Sequence, residues 1–252
     1  MGIFKGGNPA ISEKVFDKYQ ILEGDMMTVR GAMNKFGMML LFLVAAAMFT
    51  WNIFYKQGPE SIAPWMWGGL IVGMILAFIM IFKPTTSPYI ALAYAICEGL
   101  FLGGISAMYD FVFAETYPSI IMHAVLLTAG TAVGMYALYS TGVIKVTNTF
   151  KRVVIFATLG IFIMYLVSII MNLFGAQMPY LHDSSPIGIG ISLVIVTVAA
   201  LNLVLDFDMI NKGAEQGAPK YMEWYGAFGL MVTIVWLYLE ILRLLSKFAS
   251  RD

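Results

Sequence analysis

Apolar and polar positions are grouped in long blocks along this chain. Seven apolar blocks stand out: Phe36–Phe54, Pro64–Phe82, Tyr89–Tyr109, Ser119–Leu138, Val153–Phe174, Pro186–Leu205 and Trp224–Leu242. An α-helix crosses bilayer hydrocarbon with about 20 predominantly apolar residues, so each block is a candidate span. Polar, Gly- and Pro-containing stretches separate them, among them Gln57-Gly58-Pro59, Lys83–Pro88, Gly175–Ser185 and Asn211–Lys220. Residues 1–35 are polar and mixed in charge and read as a simple tail, within which Ser12–Gln20 could form a short interfacial helix. The pattern predicts an all-α membrane protein, a seven-transmembrane-helix bundle over 36–246. An N-terminal segment, 1–35, precedes it and a short tail, 247–252, follows.

Composition supports this. The 252 residues are 60% hydrophobic and 12% charged, against about 25% charged in ordinary soluble domains. Net charge is zero, with no basic patch interleaved with aromatics, so no nucleic acid partner is expected; the partner is a lipid bilayer. The one cysteine, Cys97, lies inside an apolar block and permits no internal disulfide. The polar start argues against a cleaved signal peptide.

Basic residues set an expected orientation. Lys5, Lys14, Lys18, Arg30, Lys35, Lys83, Lys145, Lys151, Arg152, Lys212 and Lys220 all fall on one side if every block spans. Basic loops stay in the cytoplasm, which places the N-terminus there; the lack of a transit-like N-terminus suits a bacterial inner membrane. Arg243, Lys247 and Arg251 near the C-terminus run against this bias.

Small residues four apart let membrane helices approach closely. Gly99/Gly103, Gly130/Gly134 and Gly188/Ser192 have that spacing and are expected at helix contacts.

The candidate chemistry is acidic. Glu98 sits mid-way along the third block, where a carboxylate is least tolerated without a purpose. Leu201–Asp208 reads L-N-L-V-L-D-F-D and closes the sixth block with Asp206 and Asp208. Residues two apart lie about 200° apart on a helix, so these acids face different neighbours. Asn202, one turn before Asp206, extends its face. Glu223, Gly226, Thr233 and Glu240 form a polar or small stripe along the seventh block, expected to pack near the bundle centre. Glu240 can pair with Arg243 at i,i+3. No EF-hand, HExxH, paired-cysteine, phosphate-loop or nucleophile-elbow pattern is present, so enzyme chemistry is not expected.

Several stretches together resemble the Bax inhibitor/YccA-like transmembrane family, in its bacterial members. They are Glu98–Gly103, Ala137–Val146 (A-L-Y-S-T-G-V-I-K-V), L-D-F-D with its following loop, and the closing L-Y-L-E-I-L-R-L-L, within a likeness over about residues 35–246. The resemblance implies seven helices with the last enclosed by the other six. It also implies a pH-dependent calcium leak, gated by an aspartate pair between helices six and seven. Asp208 matches the family's aspartate on helix six. Counting back from the Leu-Arg-Leu-Leu end puts Thr233 where the partner aspartate stands, so the usual pair is absent. Asp206, Glu223 or Glu240 would then compensate.

Two functional expectations follow. The first is a pH-sensitive calcium leak or transporter. Its ion and proton pathway includes Asp208, Asp206, Glu98 and Asn202. Asp208 and Asp206 are its candidate calcium ligands, Asp208 is the proton sensor, and Glu223, Thr233, Glu240 or Arg243 is its partner on helix seven. The second is a non-conducting regulator of a membrane protease or stress response, because some bacterial relatives act on a membrane-bound ATP-dependent protease.

Overall fold

The computed structural model describes residues 26–176, 178, 181 and 183–250. Seven long helices occupy these residues: α1 (Val29–Gln57), α2 (Ala63–Phe82), α3 (Ser87–Val112), α4 (Ile120–Ser140), α5 (Asn148–Leu173), α6 (Pro186–Glu215) and α7 (Met222–Ala249). Each coincides with one apolar block, and each is long and apolar enough to cross a membrane. The stretch Ser12–Gln20 lies outside the described residues.

Local chemistry sets the helix ends. The Thr28, Thr147 and Ser185 side chains accept the backbone N–H groups of Gly31, Phe150 and Gly188, capping α1, α5 and α6. Such caps satisfy donors that a helix start leaves open. Pro64, Pro88 and Pro186 stand in the first turns of α2, α3 and α6, where the missing N–H costs nothing. Gly58, at φ 93°, ends α1 in a conformation that other residues resist. Several helices run past their apolar blocks. Thus α1 begins at Val29, ahead of the apolar run from Phe36, and α6 continues past its acids to Glu215.

The last helix is central. α7 packs against α1, α3, α4 and α6, while α2 lies chiefly against α3, and α5 against α6. Leu230, Met231 and Leu237 of α7 are almost fully enclosed, whereas Phe156, Phe162 and Ile169 of α5 face outward. Outward apolar side chains are the expected surface toward lipid.

Close approach occurs where α3 meets α1. A Cβ at Gly99 would collide with the Leu43 carbonyl, and one at Gly103 with the Ala47 carbonyl and the Thr50 hydroxyl. This glycine pair is a packing face, as expected. The Gly130/Gly134 pair is not, because a Cβ at either position meets nothing. Small-residue spacing cannot tell a helix contact from an outward face.

The start of α1 is pinned to the α6–α7 connection. Met27 donates its N–H to Ala218 O at 2.8 Å, and Met26 bridges Pro219. The α1 start, the α4 end, the α5 start, the α6 end and the α7 start thus gather at one end of the bundle, the near end.

Candidate functional site

Asp206, Phe207 and Asp208 are consecutive, yet each faces a different helix. The α-helical turn of about 100° per residue produces this divergence. Phe207 meets Tyr136 and Tyr139 of α4, at ring separations of 5.1 and 6.3 Å. Asp208 faces α5, where Lys151 reaches it at 2.9 Å, and Lys212 of its own helix reaches it at 2.8 Å. Asp206 faces α7. Its carboxyl group lies beside the Thr233 hydroxyl, and its Oδ1 lies 4.0 Å from where a Cβ at Gly229 would stand. Its Oδ2 is buried and has no hydrogen-bond partner.

This corrects the sequence-based pairing. Asp208 was expected to find its partner among Glu223, Thr233, Glu240 and Arg243 on α7. It pairs with none of them and is held by two lysines instead. The acid that faces Thr233 is Asp206. Two residues of offset move a carboxylate from one neighbouring helix to another. The candidate calcium ligation by Asp206 with Asp208 does not fit either. The carboxylates point apart, one Asp208 oxygen is taken by two ammonium groups, and no cluster of three acid, His or Cys side chains occurs among the described residues. Calcium takes six to eight oxygen ligands.

Asn202, one turn before Asp206, donates through Nδ2 to Thr158 Oγ1 of α5 at 2.7 Å and to Val198 O at 2.9 Å. Farther along α7, Glu240 is almost fully enclosed. It accepts from Arg243 at 3.0 Å, from the Tyr165 hydroxyl of α5 at 2.7 Å and from Trp236 Nε1 at 3.3 Å. The Arg243 guanidinium also lies over the Tyr165 ring, 5.1 Å from its centre. The i,i+3 pair of Glu240 with Arg243 is thus present within a larger network. One turn on, the buried Lys247 ammonium donates to Leu181 O at 2.8 Å and Gly188 O at 2.9 Å, tying the end of α7 to the start of α6.

Glu223, at the near end of α7, is fully enclosed. It accepts from the Thr28 N–H at 2.9 Å and from the Thr28 hydroxyl at 3.0 Å, and it pairs with Lys35 and with Lys220, the latter at 3.1 Å. Its role is to lock α1 onto α7. Glu98 sits on another interface. Its neighbours are Gly73 of α2, within 3.4 Å of a Cβ placed there, and Tyr94 of its own helix. The structure does not bring Glu98 to Asp206.

The polar groups form a column between α5, α6 and α7. Lys151–Asp208–Lys212 stands at the near end, Thr158–Asn202 and Asp206–Thr233 lie deeper, and Tyr165–Glu240–Arg243 stands toward the far end. One wall was missed in the sequence. Lys151, Thr158 and Tyr165 repeat every seven residues on α5 and contribute to three levels of the column. That spacing was legible, since it puts polar groups on one face of an otherwise apolar helix.

Seven membrane-length helices, the last of them central and carrying buried ionisable groups, define a multi-pass membrane protein. Residues 8–250 match the family model described as Bax inhibitor 1 like, and the chain belongs to that family. No curated protein and no solved structure matches the chain.

Proposed function

We propose that this protein is a pH-sensitive calcium leak whose path follows the α5–α6–α7 column, with the Asp206–Thr233 contact as its gate. The observation that carries this reading is the buried Asp206 Oδ2, which no donor satisfies. A buried acceptor without a partner costs about 1–3 kcal/mol, and such groups inside membrane proteins commonly serve ions or protons. A proton or a passing cation satisfies Asp206, and its arrival changes what α7 packs against.

The conformation described is a closed one. Asp208 is engaged by Lys151 and Lys212, and Glu240 by Arg243, so the other acids of the column are neutralised by fixed cations. Passage requires those pairs to open. In this reading the near end, with Asp208, faces the cytoplasm across a bacterial inner membrane; the excess of basic residues at that end supports the orientation. The role is transport and not catalysis. Purified protein in liposomes loaded with a calcium indicator tests the proposal. Calcium entry above that of protein-free liposomes, varying between acid and neutral pH, is expected; entry equal to protein-free liposomes at every pH contradicts it.

One observation favours a second reading, a non-conducting regulator of a membrane protease. Asp206 faces a threonine and not a second acid, which leaves the column poor in ligands for a divalent cation. Co-purification of a membrane protease with the protein, together with absent flux, supports this alternative.

A further inference from the structure

A groove of about 590 Å³ lies on the opposite side of α7 from the polar column. Its walls are α1, through Val44 and Met48, and α4, through Val125 and Ala129, and its floor includes Ile234 and Val235 of α7. Leu43 is the middle residue of α1 and Gly130 is close to the middle of α4, so the groove lies at mid-bilayer depth. Val44, Met48 and Val125 at its mouth are exposed side chains of the outward apolar surface, with which the groove is continuous.

Its hydroxyls are already engaged. Thr128 donates its hydroxyl to Ala124 O at 2.7 Å, and Ser106 and Tyr238 bond each other at 2.6 Å. The one further polar atom its lining brings is the Trp51 indole N–H, a single donor at one end of the groove. A water needs two to four polar partners, which this groove lacks. An empty groove forgoes dispersion contacts along its whole lining. Headgroups do not reach this depth, whereas acyl chains fill it.

We propose that the groove between α1 and α4 binds an acyl chain of a bilayer phospholipid, which reaches through the outer helices to touch α7. The chain lies against Ile234 and Val235, so lipid contacts the central helix at the depth of Thr233 but on the face turned away from Asp206. The inference stands independently of ion conduction.

The test uses the whole protein in liposomes containing a phospholipid with a photoactivatable diazirine midway along one acyl chain. After illumination, labelled peptides are mapped by mass spectrometry. Label on α7 at Ile234 or Val235 is expected, in addition to label on the lipid-facing α5. Ala129→Trp fills the groove from the α4 wall and Val44→Trp from the α1 wall. Each is expected to reduce the α7 label several-fold while α5 labelling stays unchanged, which also reports that the bundle is intact. No label on α7, or α7 label unchanged in both variants, overturns the proposal. So does α7 labelling by a diazirine fatty acid but not by the phospholipid. Cross-links between two copies through the groove in place of lipid label assign it to self-association and overturn it as well.

Discussion

Asp206 of α6 and Thr233 of α7 face each other inside the bundle, and the second carboxyl oxygen of Asp206 has no hydrogen-bond donor. Thr233→Asp places a second carboxyl at this contact. Two facing acids disfavour joint ionisation unless a cation or proton comes between them. Calcium is therefore expected to raise the melting temperature of Thr233→Asp more than that of the wild type. Thermal unfolding in detergent, with and without calcium, reads the difference; an equal calcium response in both proteins contradicts it.

Asp208 is a structural acid in this arrangement. Asp208→Asn leaves Lys151 and Lys212 facing each other without a counter-ion. Both lysines are partly exposed, so water screens the effect and only a modest loss of stability is expected. It reads out as a lower melting temperature, and Lys151→Met is expected to lose less, because Lys212 still neutralises the acid.

Glu240 is almost fully enclosed, so its removal should cost more. Glu240→Gln leaves the Arg243 guanidinium without its charge partner between helices. Breaking a buried ion pair from one side costs roughly 3–5 kcal/mol. The double variant Glu240→Gln/Arg243→Met is expected to recover part of that loss, and a double-mutant cycle on thermal stability measures the coupling.

The two glycine pairs should behave oppositely. Gly103→Ala forces a Cβ against the Ala47 carbonyl and the Thr50 hydroxyl and parts α1 from α3. Overpacking of this kind costs typically about 1–3 kcal/mol. Gly130→Ala meets nothing and is expected to leave stability unchanged or slightly raised. Melting temperatures of the two variants compare them directly.

Helix number and centrality were legible because bilayer thickness imposes a block length that hydropathy displays. The stripe Glu223–Thr233–Glu240 marked α7 as the inner helix for the same reason: such residues are not spent on lipid. The partner of each acid was not legible. Asp206 and Asp208 differ by two residues, and which of them meets α7 depends on how α6 is rotated in the bundle. Family likeness pointed to Asp208, whereas the packing of Phe207 against Tyr136 and Tyr139 turns Asp206 toward α7. Glu98 showed the converse. Its depth suggested a shared pathway, but depth does not say which interface a side chain enters, and it enters the one with α2. The α5 wall is visible as a seven-residue repeat of polar side chains, yet Lys151 lies just before the apolar block and so reads as a loop charge.

The most direct test of the gate compares Asp206→Asn and Asp208→Asn in calcium-flux assays across pH in liposomes. Asn keeps the shape of each side chain and removes its ability to gain or lose a proton. Asp206→Asn is expected to flatten the pH dependence of flux, while Asp208→Asn keeps a wild-type profile at reduced stability. A wild-type profile for Asp206→Asn, or a flattened one for Asp208→Asn alone, contradicts the assignment of the gate to Asp206 and Thr233.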